Sequence, residues 1–487
     1  MHLNKNIEKL SELNDFFTSD EKVSDTFLNM LKVFQNRSLT LTLNAIKKRG
    51  FIAGELLSVL LMLPFAGIIS VRALFYSGLA NISEARKDAY YRLKNMETID
   101  WRKLLWAVAR RFRELAEEKG DTTGVRCLIL DDTLISKSSM HIEGMSKIFD
   151  HVSHKYLWGY KLLLLGMWDR KNFIPLCFSI HREKGRNKKK PYGMTRREKQ
   201  KQRLKRAGKG TPGYIRRKEL DESKAQQSQK MLRRAVKLGF MADYVLADSW
   251  FFSQKLLTCV CELVGQIHLI CMAKMNSPKF KYIYQNKAYT AAELKQAKKR
   301  LVKRCRKLRA HYISCEVIYK EIPVKLYFVR YPGQEKWKLM ISSDLSLSFL
   351  RVMEIYSIRW SIEVFFKEAK QHLQLGKSQS HNLDAQIADT TITMIQYTLL
   401  SLSKRFSDYE TLGQLFEKQK NQFMQLTLAS KIWGLILKVI GEICEVLEIS
   451  PEQMLEKLMQ AEKATKIEKM LSFFINSNLE DQKNRIA

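Results

Sequence analysis

Two acidic sites close short apolar runs: Asp131 and Asp132 follow VRCLIL (125–130), and Asp248 ends YVLAD (244–248). An acid at the C-terminal edge of a buried strand is held rigidly yet can face a cleft, and that geometry favours a metal site. Taken singly, each Asp reads equally well as a helix N-cap or turn residue. A third segment changes the balance. In EIYSIRWSIEVFFKEAK (354–370), Tyr356, Arg359, Glu363 and Lys370 lie at offsets 0, 3, 7 and 14. At about 100° per residue, one helix carries all four within a stripe about 60° wide. Ile355, Ile362, Phe366 and Ala369 run beside them and supply an apolar stripe for packing on a sheet. The nine histidines are dispersed, so Ser/His/Asp catalysis has no local support; His151, His154 and His181 read equally as surface or phosphate contacts, and His151 and His154 are left outside the site.

The spacing Y-x2-R-x3-E-x6-K resembles the signature of a large group of bacterial insertion-sequence transposases of the DDE class, in the RNase H-like superfamily. LILDDT and VLAD, in that order before the helix, resemble the group's first and second catalytic aspartates, and the match covers roughly residues 125–400. The resemblance implies Asp131, Asp248 and Glu363 as catalytic residues and metal ligands, holding two Mg2+ ions (or Mn2+ as a substitute) about 3.5 to 4 Å apart for in-line displacement at phosphorus. Asp-x-Thr selects Asp131 from the pair, while Asp132 stays open as the alternate first acid, since adjacent strand residues point to opposite faces. Tyr356, Arg359 and Lys370 would hold phosphates, Arg359 by a bidentate fork and Lys370 as a point charge. Trp360 would either stack on an unpaired base or be buried. The implied partners are double-stranded DNA, namely the terminal inverted repeats of the element and target DNA, handled by a homodimer. The implied activity is cut-and-paste transposition through 3′ strand nicking, hairpin formation and strand transfer. Carboxylates without metal would leave the developing negative charge unneutralised.

The elements that must position these residues read as an α/β chain. The resemblance implies an RNase H-like mixed-sheet core with a β-rich insertion, and N-terminal and C-terminal helical regions flank it. Up to about residue 115 apolar residues return every three or four positions, giving a helical DNA-binding region over 1–120 with Lys, Arg and Tyr exposed on helices at 81–95 and 101–120. Strand character begins with VRCLIL and continues in GYKLLLLGMWD (159–169) and FIPLCFSI (173–180), joined by a turn at Asp169–Asn172. A core first part spans 121–264, the β-rich insertion 265–345, and a core second part 346–405 with the catalytic helix. A basic helix is expected around AAELKQAKKRLVKRCRKLR (291–309). A C-terminal helical region spans 406–487, with a capping-box start at Ser450-Pro451 and an apolar run from Ile432 to Ile443 that needs a partner surface.

The 487 residues carry 84 Lys+Arg against 50 Asp+Glu, a formal charge of +34, and 45% are hydrophobic. That excludes a disordered or collagen-like chain, and the excess charge calls for a polyanionic partner. Residues 182–218 hold 17 Lys/Arg against Glu183 and Glu198; such a block repels itself and reads as a basic loop that phosphates would order, or as a solvated run. The eight cysteines form no CxxC pair and read as reduced thiols. The start lacks a secretory pattern. The uncharged run 56–71 is too short for a span and contains Pro64, so it reads as a buried helical segment. Together these place the chain in the cytoplasm, nucleoid-associated, without a membrane. Two further readings stay open: a domesticated or inactive DNA-binding relative, and a metal-dependent nuclease without strand transfer.

Overall fold

The computed structural model describes residues 43, 46–47, 49–77, 84–117, 123–150, 153–183, 185–186, 193–405 and 420. The Ser450 cap, the 432–443 run and most of the expected 406–487 region lie outside the described residues. Among the described residues, four helices precede the sheet from residue 53 on: α1 (Ala53–Met62), α2 (Val71–Phe75), α3 (Lys87–Lys94) and α4 (Trp101–Glu117). In the run 56–71 the helix ends at Met62 and a turn follows, with Leu56, Leu60 and Phe65 buried but Ile69 at the surface, and among the described residues no helix is long and apolar enough to cross a membrane. In α3 the expectation of exposed tyrosines fails at Tyr90, which is fully buried against Phe75, while Tyr91 stays at the surface.

Among the described residues, one continuous sheet of twelve strands runs from β1 onward. β1 (Cys127–Ser136) pairs antiparallel with β3 (Lys155–Trp168), whose other edge takes β2 (Ser146–Asp150) and then β4 (Phe173–His181). On its second edge β1 runs parallel to β5 (Tyr244–Ala247), and β5 runs parallel to β6 (His268–Ala273). This is the mixed sheet expected of the core. Before β5 come α5 (Arg196–Gln200), α6 (Pro212–Glu219) and α7 (Lys224–Lys237), the last followed by Gly239 at φ +83°, a backbone that favours glycine. Helix α8 (Gln254–Cys261) makes the crossover from β5 to β6.

The β-rich segment is no separate sheet. β6 belongs to the core, and Leu269, Ile270 and Cys271 are fully buried, as befits a parallel strand covered on both faces. β12 (Lys338–Ser342), β11 (Ile322–Arg330) and β10 (Ala310–Tyr319) continue from it in antiparallel order, followed by β7 (Tyr282–Tyr284) and β8 (Lys287–Tyr289). The basic helix expected at 291–309 is cut short. Its first part is α9 (Ala291–Ala297), started by a Thr290–Glu293 capping box. After one 3-10 turn the chain becomes β9 (Lys303–Cys305), paired with β10; successive turns packed with like charges are poor helix, and an exposed edge strand spreads them apart.

Helices α10 (Phe349–Ser357), α11 (Trp360–Gln371) and α12 (Leu383–Arg405) follow the sheet. α11 packs on β1 and β4, and α12 lies against α4 and β4, so the core sits between the sheet and these helices. Phe173 of β4 meets Phe365 of α11 and Tyr397 of α12 at ring centroid distances of 5.7 and 6.4 Å.

Candidate active site

β1 does not end at its acids. Pairing with β3 runs on through Asp131↔Leu164 and Asp132↔Leu163 to Ser136↔Gly159. What ends there is the neighbour on the other side: Leu130↔Ala247 is the last pair with β5. Asp131 and Asp248 are therefore each one residue beyond that pair, on adjacent parallel strands. Asp248 opens a tight turn, accepting from the Ser249 amide, while its carbonyl accepts from the Phe251 amide at 3.0 Å and from the Cys271 thiol at 3.3 Å.

The expected single helix over 354–370 is two. Around Ile358 and Arg359 the amides bond three residues back, Ile358 to Ile355 at 3.1 Å and Arg359 to Tyr356 at 3.0 Å, a 3-10 turn that tightens the chain between α10 and α11. The four polar residues still face the sheet. The Tyr356 hydroxyl lies 3.4 Å from the Ala247 carbonyl, beside Asp248. Arg359 donates to Asp131 Oδ2 at 3.0 Å and also to Glu363 Oε1. Lys370, three turns on, donates to Thr133 Oγ1 at 2.7 Å and the Leu134 carbonyl at 3.2 Å. Ile355, Ile362, Phe366 and Ala369 are buried as the stripe requires, and so is Phe365. Trp360 is 63% exposed, so the alternative of a buried Trp does not hold.

Alternation along β1 sends its two acids to different company. Asp131 reaches Arg359, whereas Asp132 accepts from Lys224 Nζ at 2.9 Å and lies 3.9 Å from Lys161 Nζ. Lys224 also sits 3.8 Å above the ring of Trp250, which is 49% exposed. Lys161, Lys224 and Trp250 escaped sequence reasoning: the two lysines carry no motif, though Trp250 stands only two residues after Asp248.

The electrostatics centre on Asp131. Burial raises its carboxyl to about 6, against the pull of Arg359 and the Asp132 amide, with Asp132 and Glu363 adding to the rise. Burial alone would lower the Arg359 guanidinium, but Tyr356, Asp131 and Glu363 together hold it above its ordinary value. Its Nε is buried without a hydrogen-bond partner. Burial pushes the Tyr356 hydroxyl up and, aided by Lys161, the Lys370 ammonium down. Among the described residues, no three of His, Cys, Asp and Glu close on a common point as a metal cage would require; between Asp131 and Glu363 stands the guanidinium of Arg359.

The expected basic loop at 182–218 is largely folded. Arg217 donates to Glu143 at 2.7 Å and to Asp384 at 2.8 Å; Arg216 and Arg102 both pair with Glu219, and Lys205 with Asp384. Acids from other parts of the chain pair with Arg182, Lys205, Arg216 and Arg217, which relieves part of the self-repulsion that the block's own composition implies.

Two protein families match this chain. One, described as a transposase DDE domain, matches residues 216–399, which include Asp248, Tyr356, Arg359, Glu363 and Lys370. The other, described as a DDE superfamily endonuclease, matches residues 45–299, which include Asp131 and Asp248. No curated protein matches the chain. Among solved structures, the cryo-EM structure of a piggyBac transposase synaptic complex with hairpin DNA aligns over 83% of this chain and 81% of its own, at 11% identity and a TM-score of 0.39.

Proposed function

The chain belongs to the DDE superfamily endonucleases, and on that footing we propose that it is the transposase of a bacterial insertion sequence, working by metal-dependent cut and paste. It binds the terminal inverted repeats of its element and nicks to free a 3′-hydroxyl, which attacks the opposite strand to close a hairpin and release the flanking DNA; water then reopens the hairpin, and the restored 3′-hydroxyl attacks target DNA, with a homodimer bringing two ends together. The observation that carries this reading is the convergence of Asp131, from β1, and Glu363, from α11, on the one guanidinium of Arg359. Asp248 stands on the strand beside Asp131.

The residues fit divalent metal. All the donors are carboxylate oxygens, the set that hard cations prefer, and burial holds the Asp131 carboxyl up at about 6 in spite of Arg359. Asp131, Asp248 and Glu363 would hold two Mg2+ ions, or Mn2+ in their place. Bound there, the pair would activate a water or 3′-hydroxyl and stabilise the leaving oxygen of an in-line displacement at phosphorus. Arg359, drawn off the carboxylates, has the planar fork that matches a phosphate. Lys370 places a point charge beside β1, and the Tyr356 hydroxyl is set to donate at the end of β5. Trp360 offers an exposed face for an unpaired base. Asp132 holds Lys224 and Lys161 in place and takes no metal.

The test is reaction of the purified protein with the DNA that flanks its coding sequence, in Mg2+. Asp131→Asn, Asp248→Asn and Glu363→Gln should each lower cleavage on the order of 1000-fold or more while end binding stays within a few-fold. Asp132→Asn should still cut and release hairpin-ended DNA. A wild-type protein that binds but never cuts would overturn the reading, and loss of cutting in Asp132→Asn alone would move the first acid to 132.

A further inference from the structure

The basic segment that replaced the expected helix takes no part in the site above. Residues 299–309 hold seven Lys/Arg and no Asp or Glu, and all seven are exposed. Among the described residues, the one ion pair they make is Lys307 with Glu354 at 2.8 Å. Glu354 lies on α10, two residues before Tyr356. Beneath the strip, Tyr312 of β10 stacks on Phe349 of the same helix with ring centroids 4.0 Å apart.

Strand register fixes the end of the molecule that this strip occupies. Ala247 pairs with Cys271. Two residues further in the direction of Asp248, Ala273 pairs with Leu339, Leu339 with Phe328, and Phe328 with Ile313. One step beyond, Lys338 pairs with Val329, Val329 with Tyr312, and Tyr312 with Lys303, and Arg304 comes next. Lys303 and Arg304 thus emerge at the end of the sheet where Asp248 leaves β5. Five strand spacings of about 4.8 Å separate β5 from β9, a span of about 24 Å. That is about seven base-pair rises of a DNA duplex.

A solvated basic face would need neither a shared sheet end nor a tie to the helix of the site. We propose that this strip is a second, sequence-independent seat for duplex DNA, gripping the phosphate backbone about seven base pairs from the bond that is cut. The proposal rests on the DNA-cleaving reading of the acidic site and adds the surface that aligns the duplex with it.

The opposite end of the same strands supplies the control. Lys320, in the turn between β10 and β11, and Lys287, in β8, are equally exposed. The full-length protein is compared as Lys303→Gln/Arg304→Gln and as Lys287→Gln/Lys320→Gln, on a labelled duplex taken from the DNA flanking its coding sequence. The strip variant should flatten the plot of log affinity against log salt by about 2 and lose backbone protection about seven base pairs from the cut, while the control variant matches wild type. Equal changes in both variants would show a generic loss of charge and overturn the strip. Wild type that binds no flanking DNA would overturn the transposase reading itself, and the strip with it.

Discussion

Asp131 is held against its own chemistry, and that gives it a pH signature. Burial raises its carboxyl to about 6, more than Arg359 and the Asp132 amide take back, whereas in an unfolded chain an Asp titrates near about 3.9. Between about pH 4 and 6 the folded protein therefore keeps a proton that the unfolded chain has released. Stability owed to this residue falls as pH rises through that window and is flat above it. Urea unfolding of wild type, less that of Asp131→Asn, measured across this range, should decline with pH; a difference that climbs would mean that Arg359 outweighs burial. The carboxyl that the proposed metal site needs in its charged form is thus one that burial holds back from it. Its neighbour Asp132, between Lys224 and Lys161, is placed to anchor cations.

Helix α11 turns an apolar stripe into a fixed position for Glu363. Ile362 is fully buried one residue before Glu363, so Ile362→Ala should lower unfolding free energy by about 2 to 5 kcal/mol. Trp360→Ala, at the exposed start of the same helix, should stay within about 0.5 kcal/mol; a large loss there in denaturant titrations would mean that the indole packs in solution. The stripe is legible in the sequence because its period survives, with Tyr356, Arg359, Glu363 and Lys370 all turned to the sheet. The break at Ile358–Arg359 is not, since neither Pro nor Gly marks a turn made by hydrogen bonds alone. β1 reads too short for a related reason: Asp-Asp-Thr looks like a turn, while pairing with β3 continues to Ser136. The hairpin of β10 and β11 is plain from its alternation, whereas β6 looks like the start of an insertion because sequence does not tell which sheet a buried strand joins.

Charge at the scale of the whole molecule divides into two kinds. In the block at 182–218, Arg217 binds Glu143 and Asp384, 74 and 167 positions away, both nearly fully buried. Such separations hide the pairing from a local reading, in which the block only repels itself. Arg217→Ala should cost about 3 to 5 kcal/mol by leaving the buried Glu143 carboxylate without its cation while Asp384 keeps only Lys205, and calorimetry of that variant beside Lys209→Ala, an exposed cation of the same block, separates the structural charges from the free ones. The strip at 299–309 is of the free kind. It is hydrogen-bonded into the same sheet as Asp131 and Asp248, strand to strand. A ladder of that kind behaves as a ruler, so whatever curvature the path demands falls on the duplex. Pyrimidine–purine steps, which bend easily, then become favoured between the cut and the strip, a preference among sequences at base pairs that no side chain reads.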